Sequence, residues 1–203
     1  LTDYIAMNPE IKKIYIIGQD YSFGQVVSDT SIELLRGKRP DIEIVGNEFH
    51  PIGQVKDFTP YVTKIVSSDA DAVITGNFGA DMVSLARSII DSGLDIPIYT
   101  FYAAYDGITA TLGADGVDKI YLVHNDAGNP LPSEERLAYT RNFKRLNPNN
   151  DMTQFRITNA LQMLVQAMEA SHSTDPYDIA LALEDMRFSN MSGEELWMRG
   201  EAH

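Results

Sequence analysis

The chain has 203 residues, no cysteine and a formal net charge of −13, from 16 lysine and arginine residues against 29 aspartate and glutamate residues. An acidic surface repels phosphate backbones and anionic headgroups, so the composition argues against a nucleic-acid partner. Disulfides, cysteine zinc sites and thiol nucleophiles are excluded, and no apolar run approaches the roughly 20 residues needed to cross a bilayer, so we expect no direct membrane insertion.

The first half of the chain alternates between strand and helix patterns. It opens like the tail of a helix, so we expect that further sequence preceded residue 1. Apolar or alternating runs predict strands over residues 13–17, 41–49, 71–76, 96–100 and 119–124. Helical spacing predicts helices over residues 26–36, 57–69 and 80–93, and a short helix before the last strand. Strands separated by such helices indicate βαβ units, so residues 12–123 are predicted to form one doubly wound α/β domain with a parallel sheet.

The second half changes to helices that do not alternate with strands. Residues 124–132 form a polar connection with glycine and proline. Helices are predicted over residues 133–146, 153–171 and 175–187, followed by a closing strand in GEELWMR. The middle helix carries a broad apolar stripe that includes Leu161, Leu164 and Val165. Because this segment supplies no sheet on which the stripe could pack, we expect it to belong to a second domain whose sheet lies upstream in the chain.

The motifs of an enzyme are missing from the sequence. There is no G-x-x-x-x-G-K-[ST] or G-x-G-x-x-G nucleotide loop and no G-x-S-x-G elbow, and the four histidines lack metal-ligand spacing. We interpret the histidines as surface or hinge residues. Carboxylates in predicted first helical turns, such as Asp57, Asp81 and Asp175, are expected to cap the helices or complement their dipoles. The sequence therefore predicts no catalytic residue, no metal site and no cofactor.

Aromatic and polar residues follow the carboxyl ends of the predicted strands. Ligands of open α/β sheets bind beyond those ends, and aromatic walls with a few polar groups suit a small organic molecule. The candidate ligand-binding residues are Tyr21, Phe23, Asn77, Phe78, Phe101, Tyr102 and Tyr105. The alternative is that these side chains only pack the ends of the sheet, as Tyr15 and Tyr99, which lie inside strands, are expected to pack its core.

The first of these turns is GQDYSFGQ, residues 18–25. It has neither a lysine nor a dense glycine pattern, so it is not built to bind phosphate. Gly18 and Gly24 are instead predicted to allow a tight turn from strand to helix. Tyr21 and Phe23 would then face the ligand.

Several segments are similar to the substrate-binding proteins of branched-chain amino acid ABC transporters. They are GQDYSFGQ, KDFTPYVTKI and DAVITGNFGADMVSLARSIIDSGLDIPIYT, and the tail TDPYDIALALEDMRF…GEELWMRGEAH resembles the C-terminal stretch of that family. The likeness is to periplasmic proteins of the leucine/isoleucine/valine-binding type and covers essentially the whole chain. It implies the α/β fold of two-lobed type I periplasmic binding proteins, with doubly wound parallel sheets.

The resemblance also implies which part of that fold each segment forms. Residues 1–11 would end a helix of the first lobe and cross over, and residues 12–123 would form the complete second lobe. Residues 124–132 would be a hinge crossover, and residues 133–203 would return to the first lobe as helices and a closing strand. The first lobe is then only partly represented, without the part that usually holds a ligand carboxylate.

Three candidate residues fall on family positions that meet a ligand. The aromatic residue of the first strand–helix turn falls on Phe23, and the one after the third strand falls on Phe78. The acidic residue that receives an amino acid's ammonium group falls on Tyr102, and a neutral phenol cannot make the same charge-assisted contact. Either Asp20 or Asp106 compensates, or the ligand is an aromatic acid, an amide or another small organic molecule, which the family also carries.

The resemblance implies a solute-binding component of an ABC transporter. Such a protein would capture a small amino-acid-like or organic-acid ligand between two lobes by hinge closure, and would deliver it in the periplasm to a membrane permease without chemistry. The alternative is a ligand-sensing domain of a receptor or regulator with the same fold. An enzyme of flavodoxin-like or Rossmann type would need a cofactor loop, which the sequence lacks.

Overall fold

The computed structural model divides the chain into two units. The first unit, Leu1–His124, contains a sheet whose strands are largely runs of β-branched and other apolar residues. The structure describes residues 1–103, 108–123, 133–148, 155–191 and 193–200. The strands are β1 (Lys13–Gln19), β2 (Glu43–His50), β3 (Ala72–Thr75), β4 (Ile98–Thr100) and β5 (Ile120–Leu122). Every residue of β3 and β4 is buried, as expected for strands of a parallel sheet that is covered on both faces.

The order of the strands defines a topological switch point in this sheet. In the described part of the unit the five strands are parallel and lie in the order β2-β1-β3-β4-β5. The winding therefore reverses between β1 and β3, and sheets of this order bind ligands beyond the carboxyl ends of those two strands. The helices of the unit are α1 (Thr2–Ala6), α2 (Ser22–Lys38), α3 (Thr59–Ser67), α4 (Gly79–Asp91) and α5 (Ile108–Leu112), followed by a 3-10 turn at Gly113–Gly116.

The sheet buries a separate apolar cluster on each face. Ile14 and Ile16 of β1 lie in the cluster that contains residues of α1 and α2. Tyr15 and Ile17 lie in the cluster that contains residues of α3 and α4, because successive side chains of a strand point to opposite faces. Tyr15 and Tyr99 are 5% and 2% exposed, so their predicted core positions are confirmed. Helices on both faces confirm the predicted doubly wound sheet.

The second unit, Asn125–His203, contains helices and a hairpin in its described part. Its elements are α6 (Glu134–Leu146), α7 (Phe155–Ser171), α8 (Pro176–Leu183), β6 (Arg187–Ser189) and the antiparallel β7 (Glu195–Trp197). Ser133 and Asp175 cap α6 and α8, since their side chains accept hydrogen bonds from the backbone N–H groups of Arg136 and Tyr177. The stripe of α7 is exposed at Ile157, Leu161, Leu164 and Val165. The assignment of segments to lobes stays a prediction.

Most predicted elements are confirmed with shifted ends, but the last predicted helix is wrong at its C-terminus. The sequence predicts this helix over residues 175–187, whereas α8 ends at Leu183 and Arg187 begins β6. Asp185 has a φ of 57°, a left-handed conformation that stops a helix. The sequence does not indicate β6, because a strand of three residues is too short to show a period. The predicted ends at residues 124 and 153–154 lie outside the described residues.

Candidate functional site

Most of the candidate residues form one aromatic cluster at the carboxyl ends of β1, β3 and β4. The aromatic cluster consists of Tyr21, Phe23, Phe78, Phe101 and Tyr102, with neighbouring ring centroids 5.5 to 6.2 Å apart. Phe23 meets Phe101 and Tyr102 edge to face, the arrangement that aromatic quadrupoles favour. Since its members follow β1 and β3, the aromatic cluster lies where the winding of the sheet reverses.

The first turn of α2 brings Phe23 into the aromatic cluster. α2 begins at Ser22, earlier than predicted, so Phe23 is helical. A Cβ on Gly24 would lie 2.0 Å from the carbonyl oxygen of Gln19, so only glycine lets the helix start this close to β1. The predicted tight turn is confirmed at Gly24. The expectation for Gly18 is wrong, because a Cβ there would meet no atom closer than 3.7 Å.

The aromatic cluster is only partly buried and carries a neutral donor. Phe78 is 40% exposed, and the other four rings are half-buried. Burial raises the pKa of Tyr21, and the nearby Tyr102 raises it further. The Tyr21 phenol therefore stays protonated at neutral pH and can donate a hydrogen bond to an acceptor on a ligand.

Two helices begin at the aromatic cluster with aromatic N-cap residues. Tyr21 precedes α2 and Phe78 precedes α4, and neither side chain accepts a hydrogen bond from a first-turn N–H group. Such groups are then satisfied by water or by a ligand. α4 has Asp81 in its first turn, whereas the first turn of α2 has no acidic residue. The positive end of the α2 dipole therefore favours an anionic group, such as a carboxylate, beside the aromatic cluster.

The side chain of Asn77, the residue before Phe78, forms a buried pair with His50. Both side chains are 0% exposed. Nδ1 of His50 lies 3.2 Å from the carbonyl oxygen of Pro51, and Nε2 lies 2.8 Å from Nδ2 of Asn77. A proton on Nδ1 satisfies both contacts, because Nε2 then accepts from the amide. The expectation of a surface or hinge histidine is therefore wrong for His50, and a ligand contact of Asn77 stays a prediction.

A second buried polar pair joins Gln19 to Asp81, which are 1% and 4% exposed. Nε2 of Gln19 donates to Oδ2 of Asp81 at 2.7 Å, and the backbone N–H of Gly53 donates to the same oxygen at 2.8 Å. Asp81 occupies the first helical turn, as predicted. The sequence does not predict its bond to Gln19, and the available signal is a polar glutamine that closes the strand after the apolar residues 14–17 of β1.

Of the two aspartates expected to compensate for Tyr102, only Asp20 lies in the described residues. Asp20 is exposed and accepts a hydrogen bond from Nε2 of Gln25 at 3.1 Å. Tyr105 and Asp106 lie outside the described residues. Among the residues that the structure describes, no group of three or more histidine, aspartate or glutamate side chains could hold a metal ion. None of the described helices is long and apolar enough to traverse a bilayer.

Comparisons with known proteins identify relatives over the whole chain. A family model described as periplasmic binding protein matches residues 1–203. The Leu/Ile/Val-binding protein homolog 4 of Brucella abortus is 25% identical over 197 residues, which are 95% of this chain and 46% of that protein. The chain thus spans about half the length of the curated relatives it matches.

Solved structures show the same fold at low sequence identity. A leucine-, isoleucine-, valine-, threonine- and alanine-binding protein from Brucella ovis, in a closed conformation, is 23% identical with a TM-score of 0.76, over 98% of this chain and 50% of that one. A solute-binding protein of an ABC transporter from Rhodopseudomonas palustris, in complex with 3,4-dihydroxybenzoic acid, is 17% identical with a TM-score of 0.82, over 98% and 55% of the two chains. The predicted type I periplasmic binding protein fold is confirmed.

Proposed function

The chain belongs to the periplasmic binding protein family, and we propose that it is the solute-binding component of an ABC transporter. The relatives and structural neighbours that it matches are solute-binding proteins and not enzymes. The protein captures a small organic ligand in the periplasm and delivers it to a membrane permease. The observation that carries the proposal is the aromatic cluster, which lies beyond the carboxyl ends of β1 and β3, where sheets of this order bind ligands.

Capture of this kind needs no chemistry, only a difference in affinity between two states. In the two-lobed fold that the resemblance implies, the ligand contacts the aromatic cluster on one lobe and polar groups on the other. A ligand that contacts both lobes stabilises the closed state, by as much free energy as it gains over binding to the open state.

The lining favours an organic acid with a ring over an α-amino acid. Aromatic edges and faces suit a planar ring, and the first turn of α2 suits a carboxylate. Asp81 is buried and accepts from Gln19 and Gly53, whereas Asp20 is exposed and accepts one hydrogen bond from Gln25, so Asp20 is the described carboxylate next to the aromatic cluster that an ammonium group could still meet. Tyr102 stands where a leucine-binding relative is expected to have an acid, and this neutral phenol cannot make the same charge-assisted contact to an ammonium group.

Isothermal titration calorimetry on the protein expressed from its complete coding sequence tests the proposal with matched ligands. Benzoate against benzamide tests the need for a carboxylate, and benzoate against cyclohexanecarboxylate tests the need for an aromatic ring. We expect benzoate or a hydroxybenzoate to bind more tightly than either comparison ligand and than leucine. Tight binding of leucine with no binding of benzoate would reverse the proposed ligand class, and a broad panel without any binder would overturn the function.

A further inference from the structure

Asp81 is a nearly buried carboxylate that connects three segments at the ligand-binding edge of the sheet. Its Oδ2 accepts from Gln19 at the end of β1 and from the N–H of Gly53 in the loop after β2, while its own backbone forms the first turn of α4. Burying a charge is costly unless hydrogen bonds compensate it, and here two N–H donors and the positive end of a helix do so. A carboxylate in this position is therefore a strong local restraint.

Gln19 extends the restraint to the aromatic cluster. Its amide faces the backbone of Phe78, with Oε1 3.4 Å from the Phe78 nitrogen and Nε2 3.4 Å from the Phe78 oxygen. Gln19 also lies two residues before Tyr21, and the rings of Tyr21 and Phe78 are 5.9 Å apart. The Gln19 amide thus spans the two turns that carry these rings.

We propose that Asp81 and Gln19 are positioning residues, which hold the turns after β1 and β3 at the separation that the ligand requires. The inference rests on the proposed function, because it assumes that the aromatic cluster binds the ligand. Neither side chain needs to touch the ligand. With the restraint in place, the rings are ordered before binding, and the ligand does not have to order them at the expense of affinity.

Two substitutions at Asp81 separate positioning from simple loss of a side chain. Asp81→Ala leaves the donors of Gln19 and Gly53 without their acceptor, and we expect benzoate to bind about tenfold more weakly. Asp81→Asn keeps an oxygen for both donors and loses only the charge, so affinity should return to within about threefold of wild type. Asp91→Ala, an exposed aspartate at the other end of α4, is the control and should bind like wild type.

The ultraviolet circular dichroism near 275 nm, measured without ligand, sums over the ten tyrosines of this sequence, so the contribution of the aromatic cluster is taken as the difference between wild type and Tyr21→Phe. We expect Asp81→Ala to weaken this signal and Asp81→Asn to retain it. If Asp81→Ala does not fold, Gln19→Met removes the contact with Phe78 and leaves the bond from Gly53 to Asp81, and should weaken both affinity and the tyrosine signal.

Two results separate the two proposals. Variants that melt earlier but bind benzoate like wild type, with an unchanged tyrosine signal, would show a purely structural role and overturn the positioning inference. Wild-type protein that binds no ligand would overturn the proposed function. In that case the tyrosine signals of Asp81→Ala and Asp81→Asn still decide whether the two residues order the aromatic cluster.

Discussion

Gly24 is the residue whose replacement should disturb the turn after β1 most directly. In Gly24→Ala, the added Cβ would lie 2.0 Å from the carbonyl oxygen of Gln19, so either β1 or α2 must move. We expect a loss of about 2 kcal/mol or more in the free energy of unfolding, measured by urea denaturation. Gly37→Ala is the matched control in the same helix, because nothing lies within 4 Å of its Cβ, and should stabilise the protein by about 0.5–1 kcal/mol. Equal stabilities of the two variants would refute the close approach.

Asp41 should make stability depend on pH in acid. Hydrogen bonds from Arg39 and then Lys12 hold the pKa of this carboxyl well below its usual range. The unfolded chain therefore takes up this proton more readily than the folded protein, and the contribution of Asp41 is present above about pH 4 and is lost as the pH falls through the folded pKa. We expect the unfolding free energy of Asp41→Asn to fall less steeply between about pH 4 and pH 2 than that of wild type.

The control for this pH series is Asp29→Asn. Asp29 is exposed on α2 and forms no ion pair with the residues that the structure describes. Its replacement should leave the wild-type slope unchanged. Parallel slopes for wild type and Asp41→Asn would contradict the assignment of the shift to Arg39 and Lys12.

At the scale of elements, Arg39 attaches the segment between α1 and β1 to the turn between α2 and β2. Its guanidinium donates hydrogen bonds to the carbonyl oxygens of Asn8 and Ile11 and to both carboxylate oxygens of Asp41. Lysine cannot reproduce this planar, multiply bonded geometry. We expect Arg39→Lys to lower the midpoint of urea unfolding, and Arg36→Lys, an exposed arginine of α2, to leave it unchanged. A wild-type midpoint of urea unfolding for both variants would contradict this role of Arg39.

Elements with a clear period were predictable, whereas pairings between distant polar residues were not. KIYII predicts β1 because β-branched residues bounded by glycine indicate a buried strand. The bond between Gln19 and Asp81 joins residues 62 positions apart, and the contact between His50 and Asn77 joins residues 27 positions apart. Neither pair produces a periodic pattern, so no local rule indicates it. The helical position of Phe23 was also missed, because it depends on how closely Gly24 approaches the end of β1.

At the scale of the whole molecule, the family and the fold were predictable because the resemblance extends over the entire chain. The family model matches residues 1–203, and the solved structures share the fold. Five of the aromatic residues that the sequence places after strand ends lie together in the aromatic cluster, because parallel strands place their carboxyl ends at one edge of the sheet. The exposed stripe on α7 is consistent with an expected covering sheet from the first lobe, which stays a prediction.

The central claim is that the aromatic cluster binds the transported ligand. Phe78→Ala tests it well, because this ring is 40% exposed and its backbone contact with Gln19 does not need the side chain. Tyr177→Ala, which removes a 71% exposed ring outside the aromatic cluster, is the matched control. The measurement is calorimetric titration of benzoate into wild type and both variants. We predict about tenfold weaker binding for Phe78→Ala and wild-type binding for Tyr177→Ala; wild-type affinity in Phe78→Ala would contradict the claim.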